Sequence, residues 1–230
     1  MHETLNKVNA CIVQKRQIHH VVVNAGKIVA MQHDQVLRRS VNESDLINAD
    51  GQAVVWASKL LGNPLKERVA GIDLMINLVE MAHTKGYSIF LLGAKEEVVN
   101  KVVDLYTSKY GSKIIAGYRN GYFSKEDEKD IAKKISASKA QMLFVGISSP
   151  TKENFLYQNR ELLKEVNFIM GVGGSFDVIS GKVKRAPLWM QNSGLEWFYR
   201  FIQEPKRMWK RYLIGNSKFI YLVLKEKFKR

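Results

Sequence analysis

Cys11 is the only cysteine in 230 residues, so no disulfide can form within the chain, and a reducing compartment is expected. No run of 18 apolar residues occurs. The longest greasy piece, Phe219–Leu224, is too short to span a bilayer, and MHETLNKVNA lacks the apolar stretch of a secretion signal. These absences predict a cytoplasmic protein whose contact with a membrane is peripheral. The five histidines (His2, His19, His20, His33 and His83) show no metal-ligand spacing, and there is no D-x-D. The usual metal handle of many sugar-nucleotide enzymes is therefore missing, and no metal or cofactor is expected. A G-x-G-x-x-G beginning at Gly171 fails at Phe176 and comes late in the chain, which argues against a nicotinamide dehydrogenase. Acidic residues are also scarce: 22 Asp and Glu face 36 Lys and Arg, for a net charge of +14. From Lys182 to Arg230 there are thirteen Lys or Arg against Glu196, Glu204 and Glu226, so an anionic partner is expected for that end.

At 46% hydrophobic and 25% charged, the composition is that of an ordinary globular chain. Continuous apolar runs at Ile18–Val23, Leu46–Ala49, Ser88–Leu92, Lys113–Ala116, Gln141–Val145 and Val166–Met170 read as buried strands. Helical patterning separates them at 27–35, 53–61, 71–84, 93–110, from Ser124 with Asp127 as a capping pair, and 151–164. Buried strands alternating with helices imply an α/β fold, a Rossmann-like, doubly wound, mainly parallel sheet that binds ligands at its carboxyl edge. This core is expected over residues 1–187. Residues 188–230, punctuated by Pro187 and Pro205, are expected to form a basic helical appendage.

The stretch from Gly171 to Tyr212 carries most of the chemical signal. Gly171, Gly173 and Gly174 follow a strand, where glycine lets backbone N–H groups approach a phosphate closely. Downstream, Trp189, Trp197, Phe198, Tyr199, Phe201, Trp209 and Tyr212 interleave with Arg185, Arg200, Lys206, Arg207, Lys210 and Arg211. Aromatic anchors beside cations suit a membrane interface or a nucleic acid. Packing of a helix onto the core accounts for about half of the aromatics at helical spacing. Asp50 ends a strand before Gly51, where a carboxylate can act as a general base or simply serve a turn. Arg68 and Arg185 can hold a phosphate bidentately or form surface ion pairs. Asp177 can bond a sugar hydroxyl or cap a helix.

The motifs fall in a characteristic order. They are Asp50-Gly51, Glu67-Arg68-Val-Ala-Gly71, Gly117-Tyr118 to Gly121-Tyr122-Phe123, Gly146 to Glu153, Gly171-Val-Gly-Gly-Ser-Phe-Asp177, Gly181, Arg185-Ala-Pro187, and Leu195-Glu-Trp197 through Arg200 to Glu204-Pro205 and Arg207. This ordered set, from about His19 to Tyr212, resembles the WecG/TagA/CpsF family of bacterial glycosyltransferases, glycosyltransferase family 26.

The resemblance implies inverting, metal-independent transfer of a sugar from a UDP-sugar to a polyprenyl-diphosphate-linked glycan at the inner leaflet. It implies Asp50 as the base, Asn24 as the family's strand-end Asn, and Arg68 as the arginine of its E-R-x-x-G. Arg200, Arg207 and Arg211 match appendage arginines that bind the diphosphate. An oligomer is compatible with the family. Two positions depart from the common pattern: Val22 replaces a Thr, and Lys152 replaces the Gln of P-K-Q-E, before Glu153. The S-S-P-x-K-E form looks like the capsule and exopolysaccharide branch, where the donor is a hexose other than the N-acetylmannosamine of the teichoic-acid members, or a uronic acid, and Lys152 suits an anionic sugar or a phosphate; the donors expected are N-acetylmannosamine, its uronic acid, glucose or a similar hexose. The competing readings are a non-catalytic peripheral membrane protein and a nucleic-acid binder using the same tail. The nucleic-acid binder is the main non-enzyme reading and ranks low, because the positive charge alternates with an apolar face and no nucleic-acid motif occurs.

Overall fold

The computed structural model describes residues 1–229, with the side chains of Asn192, Arg207, Lys210 and Arg211 outside the described set. Six strands form one sheet: β1 (Ile18–Val23), β2 (Leu46–Ala49), β3 (Ile89–Gly93), β4 (Ile115–Arg119), β5 (Met142–Gly146) and β6 (Phe168–Gly171). Their order is β2-β1-β6-β5-β3-β4, and every registered pair is parallel. Helix α1 (His2–Val13) precedes β1. Helices α2 (Ala25–Ala30) and α3 (Gln35–Asn42) lead to β2, and α4 (Gln52–Leu60) and α5 (Gly71–Lys85) lead to β3. The next connections carry α6 (Glu96–Tyr110), α7 (Glu128–Ala137) and α8 (Thr151–Gln158). After β6 come α9 (Ser175–Ile179), α10 (Leu188–Asn192), α11 (Glu196–Gln203), α12 (Pro205–Trp209) and α13 (Gly215–Lys227), with one π-helical turn over Lys210–Ile214. The fold is the expected α/β class with a Rossmann-like parallel sheet flanked by helices.

Several boundaries differ from the pattern, each for a local reason. Helix α1 was not foreseen; it buries Thr4, Val8 and Ile12, one residue per turn. The helical stretch expected over 27–35 breaks in two, because Asp34 Oδ1 accepts the Leu37 N–H at 2.9 Å and starts α3 afresh. Helix α8 stops at Gln158, six residues early, where Asn159 Nδ2 donates to the Phe155 carbonyl. Ser124 and Asp127 do form their capping pair, but α7 begins only at Glu128. The N–H and hydroxyl that Ser124 donates hold the Asp127 carboxyl below its usual range.

Contacts separate the chain into two compact units that interleave in sequence. The first comprises Met1–Val21, Ser40–Leu46 and Gly71–Val183. The second comprises Val22–Arg39, Ile47–Ala70 and the chain from Lys184 onward. These units do not follow a division at Pro187, because the residues after it group with two earlier segments; α13 packs on α2.

In the first unit, every residue of β3 and β6 is buried, as are four of the five in β5. A strand buried at both parities needs cover on both faces. One face contributes Phe90, Leu92, Leu143, Val145 and Ile169 to a cluster with Ile131 and Ile135 of α7 and Phe155 and Leu156 of α8. At the carboxyl edge β3 and β5 nearly touch. A Cβ on Gly93 would lie 2.6 Å from the Gly146 Cα, and Gly93 has φ +138°. The buried apolar residues of the second unit include Ala25, Leu37, Val55, Val69, Met190, Met208 and Phe219.

Gly93→Ala is therefore expected to cost about 2 kcal/mol or more, from backbone strain and overlap together. Urea unfolding of the variant beside the wild type reads this directly.

Candidate active site

Two backbone hydrogen bonds assemble the most suggestive residues of the second unit. The Asp50 N–H donates to the Val23 carbonyl at 3.0 Å, which sets the end of β2 beside the end of β1. The Val69 N–H donates to the Ala49 carbonyl at 2.9 Å, which brings the loop before α5 to the same place. Asn24, Asp50 and Arg68 are thus each at, or one residue from, one of these bonds. Gly51 closes the group: a Cβ there would meet the Asn24 Cβ at 3.4 Å. All three side chains belong to half-buried residues. Asn24 also caps α2, its Oδ1 accepting the Lys27 N–H at 3.0 Å. The donor end of its amide is the half that the cap does not use.

Arg68 extends this group through Glu196. The Arg68 Nη2 lies 3.1 Å from one Glu196 carboxylate oxygen, and the Arg185 Nε lies 3.5 Å from the other. One carboxylate, on the first residue of α11, therefore joins cations from two separate loops. The three side chains are 16%, 23% and 30% exposed for Arg68, Arg185 and Glu196, enough shielding for the attractions to exceed those of a surface pair. Arg200 is tied within its own helix turn, with Nε 4.0 Å from Glu204. The side chains of Arg207 and Arg211, the remaining expected diphosphate ligands, lie outside the described residues.

The other expected residues lie in the first unit. Gly171 ends β6, and its Cα hydrogen faces the Lys152 side chain: a Cβ would overlap Cε and lie 2.6 Å from Cδ. The turn after it is held by the Val172 N–H on the Val145 carbonyl and by Ser175, whose N–H and hydroxyl both reach the Val172 carbonyl. Gly173 takes φ +53°, a conformation that favours glycine. The next helix, α9, is five residues long, so any anion held here would rest on individual N–H groups more than on a helix dipole. Lys152 is nine-tenths buried, with its Nζ 3.4 Å from the Glu153 carboxylate, which is itself 1% exposed. The expected anion-binding cation is thus already neighboured by a carboxylate. Asp177 lies 3.9 Å from Lys182, and its carbonyl accepts the Val183 N–H and the Ser180 hydroxyl.

The C-terminal helices keep their greasy residues outward. Among the described residues of α11 none is buried; Trp197, Phe198 and Ile202 are exposed. Leu188, Trp189, Trp209, Leu213, Ile220, Tyr221 and Phe228 are exposed as well, while Met190, Met208 and Phe219 anchor the segment. Among the described residues no helix is long and apolar enough to cross a membrane.

A model of the glycosyl transferase family WecG/TagA/CpsF matches residues 1–230. The chain belongs to this family. One relative, the N-acetylglucosaminyldiphosphoundecaprenol N-acetyl-beta-D-mannosaminyltransferase of Bacillus subtilis (strain 168), is 37% identical over 90% of this chain and 83% of its own length. The protein of the same description from Bacillus spizizenii (strain ATCC 23059 / NRRL B-14472 / W23) is 38% identical over 80% of this chain and 70% of its own. This WecG/TagA/CpsF chain is a glycosyltransferase, and its relatives' names describe a hexosaminyl transfer.

Two features escaped the reading of the sequence. Glu196 lay within a quoted motif without a role, although an isolated acid in a strongly basic segment is a signal for an ion pair. The packing of Lys152 on Gly171 joins positions nineteen apart and has no sequence signature. It generates a prediction. Gly171→Ala should displace the Lys152 side chain without unfolding the protein, so it should slow glycosyl transfer as much as Lys152→Ala does. The double variant should be no slower than either single one, which a double-mutant cycle on transfer rate with parallel melting curves checks.

Proposed function

We propose that this protein moves a hexose from a UDP-sugar to a polyprenyl-diphosphate-linked glycan, with inversion and without a metal, at the inner face of a bacterial membrane. The observation that carries this is the meeting of Asn24, Asp50 and Arg68 through the ends of β1 and β2. The activity named for the relatives, on a lipid-diphosphate-linked N-acetylglucosamine, supports the acceptor class.

In this reading Asp50 takes the proton from the acceptor hydroxyl. The freed oxygen attacks the anomeric carbon from the face opposite the nucleotide. The bond from that carbon to the diphosphate oxygen breaks, and UDP leaves with the electron pair. Asn24 orients the sugar by donating from its amide. Charge growing on the departing diphosphate needs fixed donors, and Arg68 and Arg185 supply them, with Arg200, Arg207 and Arg211 of the C-terminal helices added at the lipid-linked diphosphate. The turn at Gly171, Gly173 and Gly174, with Asp177, serves the nucleotide; Lys152 and Glu153 set donor preference. The basic, aromatic segment 188–230 attaches to anionic lipid, each cation near the leaflet adding about 1 kcal/mol before screening. Its exposed Trp and Phe residues alternate with those cations along the chain, as suits interfacial attachment.

Asp50→Asn is expected to lower UDP release about 100-fold or more, with a short-chain lipid-diphosphate-sugar acceptor and a panel of UDP-sugars. Turnover that survives the substitution would remove Asp50 from the role of base. Separately, wild-type protein should float with anionic but not neutral liposomes, and truncation at residue 190 should abolish flotation. Failure to float would refute the membrane reading.

A further inference from the structure

Glu196 bridges arginines from two different loops. Its oxygens reach Arg68 Nη2 at 3.1 Å and Arg185 Nε at 3.5 Å. The three groups are largely shielded, and each comes from a different part of the second unit: the loop before α5, the loop before α10, and the first turn of α11. Two guanidinium groups brought this close repel each other unless an anion stands with them. The backbone beside Arg68 is pinned, the Val69 N–H donating to the Ala49 carbonyl, so the arginine enters the group from a fixed point on the chain.

We infer that Glu196 is a positioning residue for glycosyl transfer, acting through Arg68 and Arg185. The inference rests on the proposed role of those arginines at the departing diphosphate. A carboxylate hydrogen-bonded to Arg68 and charge-paired with Arg185 biases the directions in which the two guanidinium groups point. It also removes one unit of charge, so the pair attracts a phosphate oxygen without trapping it. Transition-state charge is stabilised best by donors already oriented, and product leaves fastest from a site that is not overcharged. Glu196 serves both requirements. It also lies next to Trp197 and Phe198 on α11, so the helix that carries the exposed aromatic residues also carries the clamp.

The isosteric substitution Glu196→Gln tests this, because it keeps the shape and removes the charge. Loss of orientation should lower kcat about tenfold or more. With one negative charge removed from beside the two arginines, UDP should at the same time bind more tightly, so that inhibition by added UDP strengthens by about threefold or more. A merely structural carboxylate moves the first quantity but not the second. Arg185→Gln and the double variant Glu196→Gln/Arg185→Gln complete the set. If Glu196 works through its arginines, the double variant loses less rate than the product of the two single losses, the remainder being the part carried through Arg68.

A kcat within about twofold of wild type in Glu196→Gln overturns the inference. So does a fall in kcat that tracks a lower melting temperature with unchanged UDP inhibition, or rate losses that simply multiply in the double variant. Wild-type protein assayed in parallel separates the two levels. If it turns over and Glu196→Gln matches it, only the clamp is wrong. If wild type releases no UDP from any donor, the functional reading falls and the clamp with it.

Discussion

The hydrogen bond from Asp50 to the Val23 carbonyl is the constraint on which the rest of the candidate site depends. Parallel strands place their carboxyl ends together, but strand pairing alone does not fix the path of the chain beyond each strand. Here the first residue beyond β2 is tied to the last residue of β1, and Ala49 in turn receives Val69. Backbone, not side chain, makes these ties. An amide, a carboxylate and a guanidinium from three distant stretches are thereby brought near one another at no cost in side-chain freedom. Such an arrangement tolerates change in the side chains while preserving the backbone positions that carry them.

Electrostatics then has to solve the problem of concentrating positive charge without self-repulsion. The chain answers twice in the same way, with a carboxylate set against cations. Glu196 stands between Arg68 and Arg185, and Glu153 stands beside Lys152. The second pair is almost wholly buried. Removing two ions from water costs several kcal/mol each before their attraction is counted. A pair retained under that penalty is poorly explained by stability alone, and its contact with Gly171 at the end of β6 gives it a use in shaping that turn.

Much of this was legible in the residues. Apolar runs at Ser88–Leu92 and Gln141–Val145 declared buried parallel strands, found one residue later at Ile89–Gly93 and Met142–Gly146, because both faces of each carry hydrophobic side chains. Asp50 before Gly51 declared a strand end with a carboxylate on it. Helix limits were less legible where a single side chain decided them: Asp34 restarting a helix, or Asn159 taking a carbonyl from α8. The grouping of the C-terminal helices with residues 22–39 and 47–70 was not legible at all, because it depends on contacts between distant segments. The exposure of Trp197, Phe198 and Ile202 likewise needed three dimensions, since at helical spacing the same residues suit a packed face.

The interleaving of the second unit has a consequence for how the protein is made. Glu196 comes 128 positions after Arg68. At about 5–20 residues per second, a ribosome spends roughly 6–26 s between the two. Throughout that interval Asn24, Asp50 and Arg68 have been made, while Glu196 and the helices after it do not yet exist. The first unit, complete at Val183, can fold before its companion has all its parts. Synthesis thus delays the full set of charged residues until the last segment emerges, the same segment that carries the exposed aromatics.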